Sequence, residues 1–101
     1  MIVETTNYFA KAGQAAAVLK HRRMTTEIRR KLGLDPGRIF VKLEGTGPDV
    51  RWECNFASME AYEADRAQRA ASPDFEAGRK LMLTLLDKFE RHLSTEDKRE
   101  A

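Results

Sequence analysis

The sequence has little of what would identify a function directly. Its 101 residues include one cysteine, so no internal disulfide can form and a reducing compartment is expected. No apolar run approaches the ~20 residues that a membrane-spanning helix needs, and the first residues do not resemble a signal peptide. The formal net charge is only +2, too small to indicate a nucleic-acid or membrane partner. We therefore expect a cytoplasmic protein with neither partner.

Residues for a metal or phosphate site are equally scarce. Two histidines and one cysteine offer little for a metal, and Gly45 and Gly47 are typical of a turn rather than of a phosphate loop. We expect no metal and no cofactor. Seven basic residues lie between Lys11 and Lys31 and could follow phosphates. Because residues 58–78 are mainly acidic, solvated and mutually neutralising faces explain both segments better.

The balance of 42% apolar and 34% charged residues is typical of a globular domain. We predict one domain over residues 1–93 and a polar tail over residues 94–101. Residues 1–9 have the mixed β-branched and aromatic composition of a strand. Its uncharged side is expected to face the core, and that side carries Val3, Thr5, Asn7 and Phe9.

A helix is predicted over residues 14–32, ended by Gly33 and followed by a turn at Asp35. At about 100° per residue, one narrow arc of this helix is expected to face the core. That arc contains Val18, His21, Thr25, Ile28 and Leu32.

Residues 38–44 and 50–56 alternate between apolar and polar side chains and predict an antiparallel hairpin. Apolar and charged matching together favour one register. It pairs Leu43 with Trp52, Val41 with Cys54 and Ile39 with Phe56, and on the other face Glu44 with Arg51 and Lys42 with Glu53.

Two helices are predicted after the hairpin, capped by Ser58 and by Ser72 before Pro73. Residues 88–94 fit either a helix extension or an edge strand, and local propensity favours the helix. With the strand, the element order is that of a ferredoxin-like α+β domain, a split β-α-β antiparallel sheet with its helices on one face. The other face of the sheet is then solvated or meets a second copy of the chain.

Several segments resemble the dimeric α/β-barrel superfamily. Residues 1–4, Tyr8 and residues 11–13 (KAG) resemble the beginning of NIPSNAP-like proteins. Residues 55–62 (NFASMEAY) and 72–75 (SPDF) resemble antibiotic-biosynthesis-monooxygenase-like members. The resemblance implies that residues 88–94 are a fourth strand. It also implies a homodimer through the sheet face, which forms a dimeric α/β barrel.

The match to the oxygenases of that superfamily is incomplete. Asn7 occupies the place of an asparagine on their first strand, but Phe56 stands where they carry a tryptophan. The heme-degrading members use a histidine on the second helix, and residues 58–71 contain none. The resemblance therefore implies a fold more firmly than an activity, and whether the protein is an enzyme stays open.

The candidate site is a pocket between helices and sheet. His21 is a candidate general base near neutral pH, with Asn7 as a second catalytic candidate, whereas Thr25, Trp52, Phe56 and Tyr62 are candidates for contacts with a substrate. The alternative for His21 is a half-buried ring bonded to a backbone carbonyl, which we favour because no partner constellation supports catalysis. Trp52 and Cys54 also fit simple core positions.

Three functions remain open. The first is binding of a small hydrophobic molecule between sheet and helices. The second is a cofactor-independent monooxygenase or isomerase, and the third is a non-catalytic dimerisation module whose own side chains fill the pocket.

Overall fold

The structure is a computed structural model that describes residues 1–98. These residues form four strands and three helices. In chain order they are β1 (Ile2–Ala10), α1 (Ala15–Lys31), β2 (Arg38–Val41), β3 (Val50–Phe56), α2 (Met59–Ala70), α3 (Pro73–Thr84) and β4 (Leu86–Thr95). None of the helices within this part of the chain is long and apolar enough to cross a membrane.

The strands form one antiparallel sheet in the order β2-β3-β1-β4. This arrangement confirms the predicted ferredoxin-like α+β fold. It also confirms that residues 88–94 are a strand, with Phe89 paired to Tyr8 of β1. The strand continues through Thr95, so the polar tail predicted from residue 94 begins later than expected. Residues 99–101 of that tail lie outside the described residues.

Local signals predicted the helices well. The hydroxyl of Ser58 accepts a hydrogen bond from the N–H of Ala61, and that of Ser72 accepts one from the N–H of Phe75. Both serines therefore cap helices as expected. Gly33 follows α1 with a φ of 76°, a left-handed conformation that glycine adopts without strain.

The predicted register of the β2–β3 hairpin is wrong by four residues. Ile39 pairs with Trp52, and Val41 pairs with Val50. For the residues that do form strands, the alternation assigned the faces correctly, because a shift by an even number of residues preserves the side. The strand predicted over residues 38–44 ends at Val41, so Leu43 does not lie on either face. Glu53 takes Arg38 and Arg51 as ionic partners at 3.5 and 3.1 Å, so neither of the charged pairs expected with Glu44 and Lys42 forms.

Asp49 explains why the hairpin does not close at Gly45. Its carboxylate accepts a 2.8 Å hydrogen bond from the N–H of Ala10, and its own N–H donates to the carbonyl of Tyr8. The ammonium group of Lys42 lies 3.3 Å from the same carboxylate. These bonds hold residue 49 against β1, so the segment between β2 and β3 becomes a loop in which Leu43 is 99% exposed.

The predicted orientation of β1 is also wrong. Its buried residues are Glu4, Thr6 and Tyr8, which share the helix-covered face with Cys54, Trp52 and Val50. Val3, Thr5, Asn7 and Phe9 lie on the opposite face. The absence of charge suggested the reverse, but Glu4 has a cationic partner in Arg69, described below, and a paired carboxylate can be buried.

Candidate ligand-binding site

A cavity of about 560 Å³ lies between the helices and the sheet. Its floor is buried and mixes polar with aromatic groups, and two apolar side chains, Met82 and Leu86, form part of its wall. Its mouth is formed by exposed side chains. The floor consists of Glu4, Thr6, Tyr8, Arg22, Thr25 and Trp52, and the mouth of Arg66, Arg79, Leu83, Phe89 and Arg91.

A buried ionic network runs beside this floor. Arg29, which is fully buried, donates two hydrogen bonds to the carboxylate of Asp65, at 3.1 and 2.7 Å. Arg69 lies 3.4 Å from the same carboxylate and donates to both oxygens of Glu4, at 2.9 and 3.1 Å. Two arginines and two carboxylates neutralise each other, which allows Glu4, Asp65 and Arg29 to be buried, whereas Arg69 stays partly exposed.

Arg22 lies next to this network and has no carboxylate partner among residues 1–98. Its Nη1 donates to the hydroxyl of Tyr8 at 3.1 Å. Its Nε and Nη2 are buried and have no hydrogen-bond partner. Burial lowers the pKa of the Arg22 guanidinium, although an arginine remains protonated at any physiological pH. Arg22 therefore has no direct ion-pair partner among residues 1–98, although the nearby carboxylate of Glu4 favours its charged form.

Trp52 fixes the position of both buried arginines on α1. The guanidinium carbons of Arg22 and Arg29 lie 4.4 and 4.8 Å from the centroid of its ring, within the range of cation–π attraction. The indole N–H donates to the carbonyl of Pro36 at 2.9 Å. This bond anchors the ring at its edge, so the floor has a defined shape before any ligand arrives.

The predicted site residues do not all meet at this cavity. Thr25 and Trp52 line it. His21 does not, because its Nε2 is bonded to the carbonyl of Gly78 at 2.8 Å, as in the alternative that we favoured from the sequence. Asn7 lies on the opposite face of the sheet, where its neighbours are Arg51 and Glu90. The expectation that Asn7 and His21 share one pocket is wrong, because Asn7 does not face the helices.

Phe56 and Tyr62 pack against each other instead of lining this cavity. Their rings meet edge to face, with centroids 5.3 Å apart. Tyr62 borders a different, shallow groove between α2 and β4, whose lining is otherwise exposed. Cys54 is buried on β3, and burial raises its pKa to about 11, so it remains a thiol and not a nucleophilic thiolate. Within residues 1–98, no group of three potential metal ligands lies close together.

The residues that sequence reasoning missed are the buried charges. Arg22 and Arg29 were assigned to a solvated basic face, which is wrong for these two residues. They share a stripe of α1 with Val18 and Thr25, at the spacing i, i+4, i+7 and i+11 that predicts a buried face. At about 100° per residue, this stripe is rotated by roughly 50° from the predicted arc. The sequence shows this spacing, but two of the four residues are arginines, and their charge argued against a buried face.

No protein-family model matches this sequence, and no curated protein matches it either. Solved structures do match. A NIPSNAP domain protein from Burkholderia xenovorans is 20% identical with a TM-score of 0.78, and the match covers 97% of this chain and 96% of that one. An antibiotic biosynthesis monooxygenase is 17% identical with a TM-score of 0.72, over 96% and 99% of the two chains.

This chain has the fold of NIPSNAP and antibiotic-biosynthesis-monooxygenase-like proteins. The superfamily resemblance noted in the sequence is thereby confirmed at the level of the fold. A third structure of this fold, from Bacteroides fragilis, is described as a dimeric protein of unknown function with a ferredoxin-like fold. It is 10% identical with a TM-score of 0.69, and the match covers 92% of this chain and 93% of that one.

Proposed function

We propose that this protein binds a small, largely apolar molecule in the cavity between sheet and helices. The observation that carries the proposal is the cavity itself. Its volume of about 560 Å³ lies within the range of small-molecule sites, which bury most of a ligand among apolar walls and fix it by a few polar groups. Here Met82, Leu86 and Phe89 supply apolar surface, and Thr6 and Thr25 supply hydroxyl groups.

We favour binding over catalysis because of where His21 and Asn7, the two catalytic candidates predicted from the sequence, lie in the structure. A general base must come within hydrogen-bond reach of the proton that it removes. The ring nitrogen of His21 is already bonded to Gly78, and Asn7 lies on the far face of the sheet. The oxygenase or isomerase alternative would therefore need other residues than these.

A neutral fluorescent probe tests the proposal directly. N-phenyl-1-naphthylamine fluoresces strongly in apolar surroundings, and we expect saturable enhancement with the unmodified protein. Thr6→Phe should abolish it, because Thr6 is a buried floor residue at the middle of β1 and a phenyl ring there would occupy the floor on which a ligand rests. Thr84→Phe is the matched control, since Thr84 is exposed at the end of α3 and does not line the cavity. Enhancement that survives Thr6→Phe would refute the assignment of the site.

We further propose that the protein is a homodimer formed through the outer face of the sheet. The helices cover only the face that carries Glu4, Thr6 and Tyr8, so the other face is free to meet a second copy. The related structure described as a dimeric protein supports a dimer of this chain. A two-fold contact between identical surfaces is the commonest form of oligomer.

Light scattering after size-exclusion chromatography tests the dimer. The unmodified protein should have the mass of two chains. Thr5→Arg, in the middle of the outer face, should yield monomers because a long charged side chain would have to be buried in the contact. Thr84→Arg, on the helical side, should leave the dimer intact. A monomeric unmodified protein would refute this part of the proposal without affecting the cavity.

A further inference from the structure

The charges around the cavity floor sum to +1 when the partly exposed Arg69 is counted with the buried Glu4, Asp65, Arg22 and Arg29. Arg29 and Arg69 are matched by Asp65 and Glu4, and the buried floor then contains Arg22 as an additional cation. Leaving such a charge in a place of low dielectric constant is costly unless an anion accompanies it. No carboxylate within residues 1–98 forms an ion pair with it.

The unpartnered atoms of Arg22 belong to one edge of its guanidinium. Nη1 is occupied by the hydroxyl of Tyr8. Nε and Nη2, which lack partners, lie on the same side of the planar group, where their N–H bonds run parallel. Both atoms are covered in the ligand-free structure, so the side chains packed around them must shift before a ligand reaches them. Two parallel N–H donors match the two oxygens of a carboxylate, which accepts them as a bidentate pair.

We propose that the ligand of this cavity is a monocarboxylate with an apolar body, and that the free edge of Arg22 binds its carboxylate group. This inference rests on the proposed function of the cavity. A single negative charge is favoured because a single buried cation is unbalanced. The carboxylate lies on the floor, and the apolar part of the molecule extends along Met82 and Leu86 towards Phe89 at the mouth.

The charge at the mouth agrees with an acidic ligand. Arg66, Arg79 and Arg91 line the opening. Among the described residues, Arg79 forms an ion pair with Glu76 at 2.7 Å, and the other two have no carboxylate partner. A positive rim raises the local concentration of anions and speeds their entry. The apolar side chains between rim and floor disfavour small hydrophilic anions, because such ions would lose their hydration without gaining apolar contacts.

Comparison of 2-naphthoate with 2-naphthamide by isothermal titration calorimetry tests the inference. The two compounds share the same ring system and differ in the charge of one group. The acid should bind the unmodified protein at least about tenfold more tightly than the amide, as expected for a bidentate charge-assisted contact. This comparison needs no variant and so does not depend on the folding of one.

Variants assign the preference to Arg22. In Arg22→Gln the acid and the amide should bind equally, with folding checked by circular dichroism. Arg23→Gln is the matched control, because Arg23 is the next residue of α1, exposed and outside the cavity, and it should keep the tenfold preference.

The outcomes separate this inference from the proposed function. Equal binding of acid and amide to the unmodified protein, or a preference that survives Arg22→Gln, would overturn the carboxylate inference. The binding function would stand in that case, because N-phenyl-1-naphthylamine would still bind. Loss of binding for the neutral probe and for both naphthyl compounds would overturn the two together.

Discussion

Replacing Arg22 with methionine should leave the ligand-free protein as stable as before, or make it more stable. In the structure two buried nitrogens of Arg22 have no hydrogen-bond partner, and each unsatisfied buried group costs about 1–3 kcal/mol. Methionine removes both. It also removes the hydrogen bond to Tyr8 and the contact with the Trp52 ring, which are worth roughly 2–4 kcal/mol together. The two effects are of similar size, so the net change should be near zero or favourable.

Arg29→Met is the informative comparison. Arg29 lies on the same helix and against the same Trp52 ring, at 4.8 Å instead of 4.4 Å, so the loss of the cation–π contact is common to both variants. Arg29 differs in its partner, because its removal deprives buried Asp65 of two hydrogen bonds. Breaking one side of a buried ion pair costs about 3–5 kcal/mol. We therefore expect Arg29→Met to be less stable than Arg22→Met by about 3 kcal/mol or more.

Urea denaturation followed by circular dichroism at pH 7 measures the difference, with all proteins at the same concentration because a dimer would make the midpoint depend on it. Arg23→Met, on the exposed side of α1, should change stability by less than about 0.5 kcal/mol. If Arg22→Met proved as unstable as Arg29→Met, Arg22 would have a compensating partner in the folded chain. The argument for a free positive charge in the cavity would then fail.

Three further predictions concern single residues. Gly37→Ala should destabilise the protein by about 2 kcal/mol or more, measured by thermal unfolding. The φ angle of Gly37 is 68°, and the added methyl group would collide with the Trp52 indole nitrogen and with the Glu53 carbonyl oxygen, which would be 2.6 Å away. An unchanged melting temperature would contradict the packing of Trp52. The pKa of Asp49 is lowered, chiefly by the N–H of Ala10, so its carboxylate stabilises the fold above its unfolded pKa of about 3.9, and this contribution is lost as the pH falls through the lower folded value. Asp49→Asn should therefore reduce stability most at pH 7, and its effect should shrink as the pH falls below about 3.9; an effect that does not change with pH would refute this origin. The thiol of Cys54, with a pKa raised by burial to about 11, should resist iodoacetamide at pH 8 in the folded protein and react after unfolding, whereas rapid alkylation of the folded protein would place Cys54 at the surface.

The parts of the fold that were predictable from the sequence are those set by local chemistry. Ser58 and Ser72 cap their helices because a serine hydroxyl can accept the backbone N–H groups at a helix start, whatever the rest of the chain does. The alternation of apolar and polar residues in β3 identified the two faces of this strand, because successive side chains of any strand point to opposite sides. The assignment of β4 did not follow from propensity, which favoured a helix there, and came from the superfamily resemblance.

The hairpin register was not predictable because a distant residue decides it. Matching of nearby side chains favoured a pairing that ends at Gly45. The structure instead holds Asp49 through the backbone of Ala10, 39 positions earlier in the chain. Matching of side chains between two neighbouring strands contains no information on the contact between Asp49 and Ala10. That contact causes the four-residue shift of the register.

The candidate site was hidden by the rule that charged side chains face solvent. That rule placed Glu4 on the outer face of β1 and Arg22 and Arg29 on the outside of α1. It fails where charges neutralise one another in the interior, as Arg29 does with Asp65. The one signal in the sequence that indicated a buried position for Arg22 and Arg29 is their spacing with Val18 and Thr25 along α1.

The distribution of hydrogen bonds also bears on how a ligand could enter. Trp52 is fixed by Pro36, and the charged groups beside the floor are tied together across β1, α1 and α2. At the mouth, Leu83 and Phe89 are 40% and 50% exposed, and such side chains change rotamer on a fast timescale. Movement of these rim side chains opens the mouth of the cavity, and the guanidinium of Arg22 is already held in place by Tyr8 and Trp52. Its Nε and Nη2 are covered, so their immediate neighbours must also shift as the ligand binds. A floor that is organised before binding keeps the ordering cost of binding low, and this is what a site built to recognise one chemical group requires.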